Sequence, residues 1–83
     1  MAMHAREYLR EGDAIIFDCN YQCDVLLMDD SNYNTYRSGG SARYYGGHFN
    51  RLPGRIIVPR SGHWNVIMEM PGGARYKLSY LKN

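Results

Sequence analysis

Three kinds of residue in this chain could carry acid–base, nucleophilic or metal chemistry: an adjacent pair of aspartates, three histidines and two cysteines. Asp29 and Asp30 are neighbours, and neighbouring side chains on a strand point to opposite faces, so they do not form a paired carboxylate site. The motif Asp-Asp-Ser-Asn is more typical of a helix cap or a turn. Because no third catalytic group accompanies the pair, we predict that the protein is not an enzyme.

The histidines and cysteines lack the spacing of a metal site. His4, His48 and His63 are scattered, without the HxxxH or HxH spacing that favours a metal. Cys19 and Cys23 are spaced C-x3-C, and no second pair completes a zinc site. The chain also has no Gly-x-Ser-x-Gly elbow, P-loop or GxGxxG motif. We therefore expect no metal, no cofactor and two free thiols beside a turn.

The segment from Asp29 to Arg51 carries the strongest indication of function. It contains four tyrosines, has no aliphatic side chain larger than alanine and shows no sustained helical or strand periodicity. A loop of this length in a compact domain is usually functional or disordered. Its content of Tyr, Ser, Gly and Asn is typical of binding loops. The sequence therefore predicts a recognition loop.

Particular residues of this loop are suited to holding a ligand. The predicted contact residues are Arg37, Arg43, Tyr44 and Tyr45, and the residues predicted to fix the loop are Asp29, Asp30 and Asn32. Arg43 offers a bidentate fork for an anion, while Tyr44 and Tyr45 offer aromatic walls with hydroxyl groups. The leading hypothesis is a non-catalytic module that binds a small anionic or sugar-like ligand.

Two other functions use the same residue types. Residues 1–30 hold seven acidic side chains against two arginines, whereas residues 31–68 hold five arginines and no acid. Such opposite charges, with the Tyr and Arg that interfaces favour, suit a protein partner or a homo-oligomer. Alternating arginines and aromatic residues also suit single-stranded nucleic acid. A pI of about 8.6 disfavours nucleic acid, because such domains usually exceed pI 9.

The length of 83 residues predicts a single domain, 1–83. Short apolar segments between Gly, Pro and Asn turns predict an all-β fold, a small antiparallel sandwich or partly open barrel with a short N-terminal helix or turn around Tyr8 and Leu9. The predicted strands are 14–19 and 23–28, joined as a hairpin, then 55–58, 63–70 and 74–81, with 41–45 as a short edge strand. Trp64 is predicted to anchor the core.

The chain shows no sign of membrane insertion or export. No apolar run approaches the ~20 residues of a membrane span, and the N-terminus lacks the apolar core of a signal peptide. We expect a soluble, cytoplasmic protein.

Four blocks of sequence together resemble a known family. They are His4 with Tyr8-Leu9 and Gly12-Asp13, the run 27–33 (Leu-Met-Asp-Asp-Ser-Asn-Tyr), Tyr44-Tyr45-Gly46-Gly47, and the run 61–66 (Ser-Gly-His-Trp-Asn-Val). Over nearly its whole length the chain is similar to the bacterial family catalogued as domain of unknown function 1883. The resemblance implies a small β-rich domain, found alone or joined to other modules, sometimes Toll/interleukin-receptor-like domains. It implies no activity, ligand or functional residue.

Overall fold

A computed structural model describes residues 2–83, which form seven strands and one helix. In chain order the elements are β1 (Ala2–Leu9), β2 (Ala14–Cys19), β3 (Cys23–Asp29), α1 (Asp30–Arg37), β4 (Tyr45–Phe49), β5 (Gly54–Ile57), β6 (Gly62–Glu69) and β7 (Tyr76–Leu81). Sheet A has the strand order β1-β6-β3-β4, and sheet B has the order β5-β2-β7. Every strand pairing is antiparallel and the strands form two sheets, so the predicted all-β class, a small antiparallel sandwich or partly open barrel, is confirmed.

The core lies between the two sheets and follows the two-residue alternation of the strands. Trp64, Val66 and Met68 point inward from β6 and are at most 1% exposed. Ile15 and Phe17 face them from β2. The prediction that Trp64 anchors the core is thus confirmed, and its indole N–H donates to the carbonyl oxygen of Arg60 at 2.9 Å.

The opposite face of sheet A is covered by α1. Leu26 and Met28 of β3 and Ile67 of β6 form a second small apolar cluster there, against which Tyr33 and Tyr36 of the helix pack. Those tyrosines are three residues apart, so they lie on one side of the helix. The helix is eight residues long, and within residues 2–83 no helix is long and apolar enough to cross a membrane.

The predicted N-terminal helix or turn is wrong, because Ala2–Leu9 is a strand. Along its whole length β1 pairs with β6, from Ala2 opposite Glu69 to Leu9 opposite Gly62. Met3 and Leu9 contact the core, whereas the even-numbered side chains lie on the other face. Cross-strand pairing therefore decides the conformation of a segment whose own apolar pattern is weak.

The predicted hairpin between β2 and β3 is also wrong, because these strands belong to different sheets. Both carry inward apolar residues, and these pack together in the core between the two sheets. Asn20 holds the connection in place. Its backbone N–H donates to the Arg75 carbonyl at 3.1 Å, and its Oδ1 accepts the Arg75 N–H at 2.8 Å.

The segment 29–51 is more ordered than a recognition loop. It contains α1 and the edge strand β4, which lies at Tyr45–Phe49 rather than at 41–45. The irregular part is the connection 38–44 between them. The helix escapes a search for aliphatic periodicity because its buried side is made by tyrosines rather than by Leu, Ile or Val.

Candidate functional site

A cavity of about 660 Å³ opens at one end of the sandwich. It lies between the α1–β4 connection, the β5–β6 turn and the end of β3, and we call it the Arg43/Arg60 cavity. Its lining residues are Asp29, Asn32, Ala42, Arg43, Tyr44, Tyr45, Arg60 and Trp64. Five of the seven residues predicted from the sequence are thus brought together here.

Asp29 forms the anchor of this cavity. It ends β3 and caps α1, so its Oδ1 accepts both the backbone N–H and the side-chain amide of Asn32 at 2.9 Å. Its Oδ2 accepts from Nη2 of Arg60, also at 2.9 Å. The backbone N–H of Asn32, with the charge of Arg60, lowers the pKa of Asp29 below its usual range despite partial burial. The carboxylate is therefore ionised and already engaged.

Asn32 connects this anchor to the wall of the cavity. While its amide group donates to Asp29, its Oδ1 accepts the backbone N–H of Arg43 at 2.9 Å. One side chain in the first turn of α1 thereby fixes the connection that follows the helix. The contact between Asp29 and Asn32 is short-range, because the Asp-x-x-Asn sequence places the two residues three positions apart.

Arg60 and Trp64 build the floor. The Arg60 guanidinium lies over the Trp64 ring, 4.8 Å from its centroid, and is held from the side by Asp29. Tyr45 meets the same indole edge-on, with centroids 6.0 Å apart and an interplanar angle of 73°. Trp64 is only 1% exposed, so it supports the cavity rather than offering a free aromatic face.

Arg43, Tyr44 and Tyr45 are the exposed lining residues whose side-chain polar groups are not engaged by other groups of residues 2–83. Tyr44 and Tyr45 are about half exposed, at 51% and 46%. Within residues 2–83 the Arg43 side chain forms no ion pair and no hydrogen bond; only its backbone N–H is engaged. The cavity therefore presents a cation and two phenol hydroxyls that the fold does not use.

Asp30 and Arg37 lie elsewhere, in a separate hollow of about 440 Å³ between α1 and β1. Asp30 accepts two hydrogen bonds from Arg6, at 3.0 and 2.7 Å, and one from the buried amide of Asn65 at 2.8 Å. The Arg6 hydrogen bond holds the pKa of Asp30 well below its usual range. Arg37 lies near the Tyr33 ring, 5.9 Å from its centroid. These two predicted residues do not reach the Arg43/Arg60 cavity.

A chain of polar contacts crosses this second hollow. Tyr33 is stacked on His4, with centroids 4.2 Å apart, and its hydroxyl lies 3.2 Å from His4 Nδ1. His4 Nε2 lies 2.8 Å from Oδ1 of Asn65, whose amide donates to Asp30. Because the amide group of Asn65 donates to Asp30, its Oδ1 is the atom that faces His4. The contacts join β1, β6 and α1, which makes this a structural cluster.

The remaining candidate groups lie outside the Arg43/Arg60 cavity. His48 lies 2.7 Å from Asp24 on the sheet surface. Across residues 2–83, no three His, Cys, Asp or Glu side chains are arranged to hold a metal ion. Both cysteines are free thiols, and burial, with the neighbouring Cys19, raises the pKa of Cys23 to about 12. A thiol with that pKa is not a nucleophile near neutral pH.

Ala42, Arg60 and Trp64 line the cavity but were not among the site residues predicted from the sequence. Arg60 is 17 positions beyond Arg43, and no local motif links the two. The register of sheet A, which pairs Asp29 with Trp64, brings the β5–β6 turn to the end of β3. The sequence signal for these residues is Arg60 followed by the block Ser-Gly-His-Trp (61–64). Without the register of sheet A, nothing in the sequence linked that block to Arg43.

A family model described as Domain of unknown function (DUF1883) matches residues 2–82, a span that includes every residue of the Arg43/Arg60 cavity. No curated protein and no solved structure matches the chain.

Proposed function

The chain belongs to the family described as Domain of unknown function (DUF1883), and on that premise we propose that it is a non-catalytic module that binds a small anionic ligand in the Arg43/Arg60 cavity. A bacterial source and a cytoplasmic location belong to the same proposal.

The observation that carries the proposal is the imbalance between used and unused polar groups in the cavity. Asp29, the acidic lining residue, accepts three hydrogen bonds from Asn32 and Arg60. The Arg43 guanidinium has no partner within residues 2–83. Two arginines and one carboxylate give the lining a net charge of +1. A surplus of unengaged donors at a positive site favours an acceptor-rich anion over a cationic ligand.

Arg60 adds preorganisation. Its position is set by Asp29 on one side and by the Trp64 ring below, so little side-chain entropy is lost when its remaining N–H groups bind an anion. Arg43, in contrast, is exposed and has no side-chain partner within residues 2–83, so binding an anion costs it more side-chain entropy. The pair combines one fixed donor with one adaptable donor.

Tyr44 and Tyr45 extend the site beyond the anion. Their rings are about half exposed and supply apolar walls, and their hydroxyls can donate to ligand oxygens. A phosphorylated or carboxylated sugar, or a nucleotide, fits this combination. A neutral sugar would contact the tyrosines but leave Arg43 unpaired. The sequence predicted an anionic or a sugar-like ligand, and the unpaired Arg43 favours the anionic one.

The test is a thermal-shift screen with nucleotides, sugar phosphates, small carboxylates and the matching neutral sugars, followed by calorimetry of any compound that binds. A ligand at 100 times its Kd stabilises the native state by about 2.7 kcal/mol, which shifts the Tm clearly in a domain of this size. Arg43→Ala should weaken binding roughly 10- to 100-fold, because a charge-assisted hydrogen bond is lost. Arg51→Ala removes the same charge from an exposed position outside the cavity and should leave the Kd unchanged.

Three results would reject the proposal. Neutral sugars could bind as tightly as their phosphates, Arg43→Ala could bind like the wild type, or no small molecule could shift the Tm. The last result, with concentration-dependent mass, would favour self-assembly. The same result, with salt-sensitive binding of single-stranded RNA or DNA, would favour a nucleic-acid module.

A further inference from the structure

The outer face of sheet B is left uncovered by residues 2–83, unlike the outer face of sheet A. Ile15 and Phe17 point from β2 into the core, so Ala14, Ile16 and Asp18 point away from it. Residues that are register partners point to the same face, so the partners of Ala14, Ile16 and Asp18 on β5 and β7 also point away from the core. The outward residues of those strands are Arg55 and Ile57 on β5, and Lys77, Ser79 and Leu81 on β7.

An apolar row runs across the three strands of this face. Ala14 is the register partner of both Ile57 and Leu81, which flank it on β5 and β7. Ile57 is 52% exposed and Leu81 is 56% exposed, whereas Ala14 between them is only 4% exposed. Ile16, two residues along β2, is half-buried and continues the apolar surface. Two large aliphatic side chains in one row, both more than half exposed, leave a site at which a partner can bury apolar surface.

The margins of this face are positive. Arg55 lies beside Ile16 on one edge strand, and Lys77 lies beside Asp18 on the other. Neither cation forms an ion pair within the described residues 2–83. Asp18 is the one outward acid of the three strands, and it shares a small hollow with Lys77 and Arg75. Cations on both edges select a partner with acidic residues on both sides of its apolar stripe.

The dimensions of the face fit one helix. Three strands at about 4.8 Å spacing span about 10 Å, which matches the 10–12 Å diameter of an α-helix. The chain itself uses this arrangement on its other sheet, where Tyr33 and Tyr36 of α1 pack on Leu26, Met28 and Ile67. Sheet B offers a comparable aliphatic surface, which no helix of residues 2–83 covers.

We propose that the outer face of sheet B docks an acidic amphipathic helix of a partner protein. The axis of that helix runs along β2, so its apolar stripe packs on Ala14 and Ile16 between Ile57 and Leu81. Its flanking carboxylates pair with Arg55 on one side and with Lys77 on the other. A second copy of this chain fits less well. Six residues of β2 make a face about 20 Å long and 10 Å wide, well short of the roughly 800 Å² per partner of a stable dimer. In such a dimer Arg55 and Lys77 of each copy would meet the same cations of the other copy, with Asp18 as the one outward acid of each face.

The test uses synthetic 18-residue helices and fluorescence anisotropy. One labelled peptide places Leu on one face and Glu on the flanks, a second replaces every Glu by Lys, and a third scrambles the acidic peptide so that its apolar stripe is lost. The wild-type protein should bind the acidic amphipathic peptide saturably and the other two at least 10-fold more weakly. This result requires both apolar and charged complementarity.

Two double variants separate the two contributions. Ile57→Thr with Leu81→Thr keeps β-forming residues and should weaken binding of the acidic peptide at least 10-fold. Arg55→Glu with Lys77→Glu should transfer the preference to the basic peptide. Tyr21→Ser removes another exposed apolar side chain, in the β2–β3 connection, and should leave the Kd unchanged. Far-ultraviolet circular dichroism checks that each variant is folded.

Equal binding of the acidic and basic peptides, or unchanged binding after charge reversal, would overturn the proposal. A wild-type dimer in analytical ultracentrifugation that becomes monomeric on Ile57→Thr with Leu81→Thr would also overturn it, because the occupant would then be a second copy of the chain.

Discussion

Asp29 and Asp30 are adjacent in the chain, yet each binds an arginine on a different face of sheet A. Asp29 contacts Arg60 at 2.9 Å in the Arg43/Arg60 cavity, and Asp30 contacts Arg6 at 2.7 Å beneath α1. The alternation of a strand that passes directly into a helix separates the two carboxylates. The two neighbouring carboxylates therefore stabilise two separate parts of one end of the sandwich, as the opposite directions of adjacent strand side chains predict.

The stability of the fold should fall as the pH falls through the acidic range. The hydrogen bonds of Asp29 and Asp30 lower the pKa of each carboxyl in the native state, whereas in the unfolded chain each returns to about 3.9. Their stabilisation is therefore complete near neutral pH and is lost progressively below about pH 5. Measuring Tm between pH 7 and pH 3 tests this, and Asp30→Asn should flatten the profile.

Glu11→Gln is the matched control for that profile. Within residues 2–83 the Glu11 carboxylate forms no ion pair, and the residue contacts Ser61 only through its backbone N–H. Its neutralisation should leave the slope of Tm against pH unchanged. A profile for Asp30→Asn as steep as that of the wild type would show that the Asp30 contacts do not govern acid sensitivity.

Gly46 should not tolerate a side chain. Its φ of +105° lies in the region that favours glycine, and a Cβ there would come within 2.2 Å of the Val25 carbonyl oxygen on β3. Gly46→Ala should therefore lower the free energy of unfolding by at least about 2 kcal/mol, measured by urea denaturation. Gly72→Ala, at a position without a positive φ or a close neighbour, should change it by less than about 0.5 kcal/mol. Equal effects of the two variants would contradict the packing of β4 on β3.

Tyr36 and Tyr80 should respond differently to loss of their hydroxyls. The Tyr36 hydroxyl donates to the Glu69 carboxylate, which raises the pKa of Tyr36 to about 12. The Tyr80 hydroxyl is buried and has no hydrogen-bond partner within residues 2–83. Tyr36→Phe should lower the free energy of unfolding by about 1–2 kcal/mol, whereas Tyr80→Phe should leave it unchanged or raise it by up to about 1 kcal/mol. Urea denaturation of both variants compares them, and a larger loss for Tyr80→Phe would contradict the prediction.

The sequence predicted what depends on local pattern and missed what depends on register. The alternation of β2, β3, β6 and β7 was sufficient for the all-β class and for the core position of Trp64. The strand β1 was missed because its conformation depends on β6, which is more than 50 residues away along the chain. Asp30 and Arg37 were grouped with Arg43 because they are close in sequence, but α1 carries them to the other side of the sheet. Arg60 was not grouped with them, because only the folded β5–β6 turn brings it over Trp64.

The single tryptophan makes the role of Arg60 directly measurable. Trp64 lies beneath the Arg60 guanidinium, so a ligand that contacts Arg60 should change the intrinsic tryptophan fluorescence of the protein. Arg60→Lys keeps the positive charge but loses the planar group that binds Asp29 and stacks on the indole. We expect the variant to fold, to show altered tryptophan emission without ligand, and to bind the anion roughly 10-fold more weakly. Arg51→Lys, made outside the cavity, should show neither change. Wild-type affinity in Arg60→Lys would mean that charge alone acts at this position, and that the stacking on Trp64 serves the fold.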